Sequence, residues 1–323
     1  MLGCPTCAGP LDVPAATPDP VLDSVLSCKS EGLTFPVRAG IPMLVRPSST
    51  RRVEAFENSF ARAWELEGWG ARDESHLLGL PGRDSTGRRS REWRVKARSM
   101  EALFGLLDRT KPARIVDLGC GTGWLAHHLA RRGSDVFAVD IVRSEAVGLK
   151  AAEAFLRNGP PFERIWGELE HPPFQTSCID AVICNASLHY TPDLEGTLRE
   201  AARILRPGGL FVVMNSPVHH DPDSASRAEQ GFRRKLRGDG ATEAVASSYH
   251  HFVWDDLSES IRLALGSVHE TNFDLGWGFV TTRRLKGIAL GMELASFPIL
   301  CATNAQERDQ STSQGALPAM APG

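Results

Sequence analysis

The sequence predicts an α/β fold in which a parallel, doubly wound sheet follows a small β-rich module and a helical segment. Three observations carry this expectation. From residue 111 onward, short apolar runs alternate with amphipathic helical stretches, the pattern of βαβ units. A glycine run, Gly119-Cys120-Gly121-Thr122-Gly123, stands between the first of these runs and a helix. The second run ends on an acid, Asp140, about 20 residues past the loop, where a doubly wound sheet keeps a ribose-binding carboxylate.

The elements follow in order. Residues 1–47 hold Cys4, Cys7 and Cys28, many prolines and short apolar runs, and read as a small module of strands and turns. Residues 48–110 read as a helical lid or linker: Phe56, Phe60 and Trp64 recur at spacings of four, and a second helical pattern runs from Trp93 to Leu107. Between them GLPGRDSTGRR has loop chemistry. In the sheet region, 111–303, strands are expected at Arg114–Leu118, Val136–Val139, near Ile165, at Ile179–Cys184 and at Leu210–Met214. Helices are expected at 124–132, 144–157 and 193–205. Residues 217–250 are polar, with a helix over Ala225–Lys235, and read as an insertion above the sheet. Further apolar stretches lie at Phe252–Leu265, Val268–Phe273, Trp277–Thr282 and Phe297–Ala302; the tail, 304–323, has the composition of a disordered segment.

Composition narrows the function. The 323-residue chain is 42% hydrophobic and 23% charged with a net charge of −3, which argues against a dedicated nucleic-acid binder. No run of about 18 apolar residues is present, so no membrane span is expected. The start, MLGCPTCAGP, lacks the basic and apolar regions of a secretory signal. Seven cysteines, an odd number thinly spread, point to reduced thiols and a cytoplasmic setting. Cys120, Cys178, Cys184 and Cys301 sit in apolar contexts and read as core thiols.

The glycine run gives the chemistry. Glycines there permit a sharp turn and let the backbone approach a ligand closely. No Lys-Ser/Thr pair follows, so the loop is not built to cradle a triphosphate. The word DLGCGTG (117–123) resembles motif I of class I S-adenosylmethionine (SAM) methyltransferases of the type 11 kind. The resemblance continues through GELEHPPF (167–174), DAVICNASLHY (180–190) and EAARILRPGGLFVVMNSP (200–217), in family order across about residues 111–217. It implies a Rossmann-like class I methyltransferase sheet that binds SAM. The cofactor residues would be Asp117, Gly119, Cys120, Gly121, Gly123, Asp140, Ile141, Glu168, Leu169, Asn185 and Ala186. Asp117 would hold the loop amides or, through water, the methionine amine; Asp140 would accept from the ribose hydroxyls. Glu168, with Glu170 as a competitor, would accept from adenine N6.

At the amino end, Cys4-Pro-Thr-Cys7 is half of a zinc site, and Cys28 supplies a third thiol. The surrounding sequence resembles the zinc-ribbon module of RNA methyltransferases and their activators, with Glu31 at the fourth cysteine's position. Two readings stand: a structural Cys4, Cys7, Cys28, Glu31 zinc site, or a module that keeps its packing without metal. No histidine pattern for a catalytic zinc accompanies the cysteines.

For the methyl acceptor, His189 just past the fourth strand is the candidate base and Tyr190 its neighbour; the alternative is that His189 only packs or caps. No N-P-P-Y motif stands there, which lowers the odds of nucleobase amino methylation. Trp64, Trp69, Trp93, Trp254 and Trp277, with His219, His220, His250 and His251, are candidates for a substrate pocket, against a plain core role. Residues 83–98 carry seven basic residues against Asp84 and Glu92. They form a solvated face, an anchor for an anionic substrate or the SAM carboxylate through Arg94 or Arg98, or an RNA contact. The leading reading is therefore SAM-dependent methylation of a small molecule. The alternatives are an rRNA or tRNA methyltransferase, and a SAM-binding protein that does not methylate, either a cyclase or a partner-recruiting scaffold.

Overall fold

The computed structural model describes residues 1–12, 24–271, 273 and 277–305, without the side chains of 277–280, 282 and 284. The tail from 306 and the Trp277 side chain lie outside the described residues. In chain order the elements are β1 (Val25–Cys28), β2 (Leu33–Arg38), β3 (Ile41–Pro42), α1 (Thr50–Leu66), α2 (Glu74–Gly79), α3 (Ser90–Thr110), β4 (Arg114–Leu118) and α4 (Trp124–Ala130). Then follow β5 (Asp135–Asp140), α5 (Glu153–Arg157), β6 (Glu163–Trp166), β7 (Ile179–Asn185), a 3-10 turn (Leu188–Tyr190), α6 (Leu194–Ile204), β8 (Leu205–Met214) and β9 (Val218–His219). The chain continues with α7 (Pro222–Gly238), α8 (Glu243–Ser247), β10 (Phe252–Val253), α9 (Trp254–Leu265), β11 (Val268–Thr271), α10 (Trp277–Leu290) and β12 (Ile299–Thr303).

Seven strands form the main sheet in the order β11-β12-β8-β7-β4-β5-β6. β6, β5, β4, β7 and β8 run parallel, and β12 lies antiparallel between β8 and β11. The order reverses between β4 and β7, which opens a crevice at their carboxyl ends. This is the Rossmann-like methyltransferase sheet that the sequence predicts. The strands are apolar on both faces because helices cover both. Along β8, Leu210, Val212 and Met214 join one core, and Phe211 and Val213 join the other.

Three local differences from expectation have physical causes. The helix expected at 144–157 is reduced to α5. Residues 145–152 form turns because the Ser144 hydroxyl accepts the Ala146 and Val147 amides, and Gly148 packs where a Cβ would meet the Val142 carbonyl at 2.2 Å. The strand expected from Leu210 begins at Leu205, with a register shift opposite Ile179–Ala181. The insertion holds two helices, α7 and α8; α7 starts where Asp221 accepts the Ser224 amide and Pro222 occupies the first turn.

The amino-terminal strands β1-β2-β3 pair antiparallel and dock on the β6 edge. Leu44 donates its amide to the Trp166 carbonyl at 2.8 Å, Met43 bridges Trp166, and Gly3 donates to Pro173 at 2.9 Å. The module thereby buttresses the strand end that carries Glu168. No described helix is long and apolar enough to cross a membrane.

Candidate active site

The glycine loop takes its shape from backbone geometry. Gly119, Gly121 and Gly123 have φ of +79°, +56° and +80°, the left-handed region where a Cβ is strained. At Gly119 a Cβ would also sit 2.3 Å from that of Ser187. The Gly119 and Cys120 amides bond the Val139 carbonyl, at 2.8 and 3.1 Å, which fastens the loop to the end of β5.

Asp140 organises the loop. Its carboxylate accepts the Gly121 amide at 2.7 Å and the Val142 amide at 2.8 Å, and it lines the cavity above. Burial nevertheless pushes its pKa up to about 6 against those two donors. Asp117 behaves differently from expectation. Neither carboxylate oxygen makes a well-formed hydrogen bond, the Ala126 main-chain N–H of α4 being the donor directed at it, and the residue is fully buried, so it does not hold the loop amides; Asp140 does. Burial, and then the Asp140 charge, push Asp117 up to about 7. An orphaned buried carboxylate behind the loop suits a ligand that carries positive charge.

Over the loop lies a cavity of about 240 Å³. Its floor is Gly119, Cys120, Gly121, Asp140 and Ile141; Asn185 and Ala186 close one side, and Glu168, Leu169 and Glu170 the other. Helices α1 and α3 roof it with Arg52, Phe56, Phe60, Trp64, Trp93 and Lys96. Two ion pairs hold α1 down: Arg52 Nη2 to Glu168 at 2.6 Å and Arg143 Nη2 to Glu57 at 2.6 Å. Glu168 thus reaches the cavity wall with its carboxylate engaged by Arg52 and, at 3.6 Å, by Arg46. Asn185 accepts from Asn215 at 2.8 Å, and Asn215 donates also to Ser99 on α3 at 2.9 Å, which ties α3 to the strand ends.

A second cavity of about 360 Å³ adjoins the first. Trp64, Trp69, Lys96, Ala186 and Tyr190 line both, so they form the boundary, or throat, where the two meet. Beyond it stand His189, Tyr249, Phe232, Phe297 and Arg283. The rings pack edge to face: Tyr190 lies 5.3 Å from Trp64 and 5.4 Å from Tyr249. His189 is buried, faces the Ser216 hydroxyl at 3.1 Å through Nδ1, and is held neutral because burial drives its pKa well below the usual histidine range. Burial likewise keeps the Tyr190 phenol protonated.

Several expected substrate residues lie elsewhere. Arg98 is exposed on α3 and lines neither cavity, and Arg94, also exposed, turns back to the Ser90 carbonyl. The α3 periodicity turns Lys96, not these two, toward the crevice. His219 and His251 bond each other at 2.8 Å, because the β9–β10 pairing sets their segments side by side, and they stand behind Tyr249 rather than in the cavity walls. Trp254 packs against His220 instead. Reasoning from sequence missed Arg52, Lys96, Trp124, Asn215 and Phe232. The four-residue spacing of Phe56, Phe60 and Trp64 marked one face of α1, and Lys96 stood in the basic run 83–98 without being singled out from it; nothing marked the others before the fold joined their elements.

In the amino-terminal module the sulfurs of Cys4, Cys7 and Cys28 lie within 4.8 Å of one another, with Cys7 and Cys28 at 3.6 Å. Among the described residues this is the group with metal-holding geometry. Glu31 does not join it: its side chain is exposed in the turn after β1, and it is its main-chain N–H that faces the Cys28 sulfur. The Thr6 amide likewise points to Cys4 Sγ at 3.4 Å.

Residues 116–213 match the family model described as a methyltransferase domain. The match is confined to this segment, under a third of the chain. The chain is 34% identical over 119 residues to a ubiquinone biosynthesis O-methyltransferase of Xanthomonas oryzae, covering 37% of this chain and 48% of that protein. It is 30% identical over 196 residues to an uncharacterized chloroplastic methyltransferase of Arabidopsis thaliana, covering 58% and 50%. The chain thus spans about half the length of these two relatives. Among solved structures, the Burkholderia thailandensis 1,6-didemethyltoxoflavin-N1-methyltransferase aligns with a TM-score of 0.49 at 16% identity, over 90% of this chain and 99% of that one.

Proposed function

We propose that this protein is a SAM-dependent methyltransferase acting on a small, largely apolar acceptor. The observation that carries the reading is the pair of adjoining cavities: a cofactor crevice over the glycine loop shares a largely aromatic boundary with a second, ring-lined chamber. Bound SAM would supply an electrophilic methyl group. Asp140 would take the ribose hydroxyls with the acceptor positions its two amide bonds leave free, and Leu169 and Ile141 would flank the adenine. Asp117 would face the positive end of the donor from behind the loop. Helices α1, α3 and α8 border the crevice and would shield the transfer from water. His189 and Tyr190 belong to the acceptor chamber wall. The chamber's six aromatic rings favour a small molecule over RNA, although Arg89, Arg91, Lys96 and Arg283 also line it, with Glu67 and Glu92 among them.

The same reading gives the module a structural zinc. Three soft thiolates, with main-chain N–H groups directed at Cys4 and Cys28, match the donor chemistry of such sites. The fourth ligand comes from a group other than the Glu31 carboxylate. Segments 1–47, 48–110 and 111–303 then act as buttress, lid and catalytic domain.

The test is calorimetry with S-adenosylhomocysteine (SAH), followed by incubation with methyl-labelled SAM and a fractionated metabolite extract. Micromolar SAH binding and a labelled small product are expected. Binding without product in any fraction would support a SAM-binding scaffold, and label in RNA would support the ribonucleic acid reading.

A further inference from the structure

We propose that Lys96 is the group that removes the proton from the methyl acceptor. The inference rests on the methyltransferase reading and deepens it. A one-carbon group passing from the first cavity to the second must cross the throat, so whatever chemistry lines the throat touches the reacting atoms. Of its five residues Ala186 has no functional group, Trp64 and Trp69 offer only indole N–H donors, and Tyr190 keeps its proton. Lys96 remains. The sequence alone pointed to His189, but His189 lines only the second cavity.

The surroundings of Lys96 suit a group that changes charge. Its Nζ rests over the rings of Trp69 at 5.4 Å and Trp93 at 5.8 Å, and no described carboxylate lies within ion-pair distance. Asp117 on β4 and Glu92 on α3 favour its charged form from further away. Arg89 and Arg91 on α3 and Arg283 on α10 line the same chamber; Arg89 is paired with Glu67 and Glu92. Burial outweighs the two acids and brings the lysine down to about 8, near working pH, where a general base is most effective. A sulfonium at the throat adds a like charge and lowers it further. The neutral amine takes the proton of an acceptor hydroxyl or amine. The freed lone pair bonds to the methyl carbon, the carbon–sulfur bond breaks, and its electron pair stays on sulfur. The new ammonium, held over the two indoles, returns its proton to water.

The test is competitive labelling of the full chain with trace acetic anhydride from pH 6 to 11, read at each lysine by mass spectrometry. It is run on the free protein, with SAH and with SAM. A short lysine-containing peptide added to the same sample is the reference. The labelling midpoint of Lys96 is expected at about 8, more than two pH units below the ordinary lysine value of 10.5, over a hundredfold in proton concentration. It should fall at least threefold further with cationic SAM than with neutral SAH. In addition, K96R should bind SAH normally but lose at least hundredfold in methyl transfer, because a guanidinium does not give up its proton. Lys96 titrating with the reference peptide in all three arms, equal midpoints with SAM and SAH, or a K96R variant at wild-type rate each overturn the proposal. If calorimetry finds neither SAM nor SAH bound, the methyltransferase reading itself has failed, and a low Lys96 midpoint in the free protein does not rescue it.

Discussion

Replacing Asp140 with asparagine should cut SAH affinity about a hundredfold. The carboxylate accepts two loop amides, from Gly121 at 2.7 Å and Val142 at 2.8 Å, and turns its remaining acceptor positions to the cavity. An asparagine oxygen serves one of those amides, and its NH2 group meets the other donor to donor. The ribose then loses at least one charge-assisted hydrogen bond, each worth about 1.5–3 kcal/mol. About 3 kcal/mol corresponds to roughly 150-fold in affinity. Titration calorimetry at pH 7.5 measures it, with a thermal melt to verify folding. The pH dependence supplies an internal check. Wild-type affinity should fall as pH drops through about 6, where the buried carboxyl takes up its proton, and Asp140→Asn should be flat across that range. For folding the sign is opposite. The folded pKa lies above the ordinary 3.8, so the ionised group costs stability as pH rises from about 4 to 6, and bound ligand returns that cost. A folded Asp140→Asn protein that binds SAH within threefold of wild type would refute the ribose assignment.

Asp117→Asn should raise the melting temperature of the ligand-free protein above pH 7, with the gain shrinking toward pH 4. The wild-type carboxyl is pushed from 3.8 up to about 7 by burial, so its cost to folding accumulates as pH rises from about 4 to 7 and is complete above that. The purified protein should carry about one zinc equivalent by mass spectrometry; Cys28→Ser should lose it and melt earlier, since its sulfur sits 3.6 Å from that of Cys7. Arg52→Ala should change SAH affinity less than tenfold by calorimetry, because the Arg52 side chain is 58% exposed and its pair with Glu168 is well screened. Leu103→Ala, at a fully buried α3 position, should cost about 2–5 kcal/mol in urea unfolding.

The elements over 114–214 were readable in the sequence because each obeys a local rule. Gly119, Gly121 and Gly123 mark a turn that only glycine takes easily, apolar runs mark strands covered on both faces, and Asp140 marks a strand end. The limits of helix 144–157 were not readable, since Gly148 is fixed by a through-space approach to Val142. Nor was the commitment of Glu168 to Arg52, a contact across 116 residues.

By itself, then, the sequence determined a doubly wound sheet, a glycine loop and an acid beside it, all properties of short chain segments and their periodicity. The tertiary structure alone decided which side chains share a cavity. Lys96 came to the throat and Arg98 went to solvent because of which face of α3 packs inward. His219 and His251 turned to each other because β9 and β10 pair. Glu31 left the thiols because its turn presents the main chain to sulfur. Charge and residue type are written locally, but proximity depends on packing, and the chemistry of this site is set by proximity.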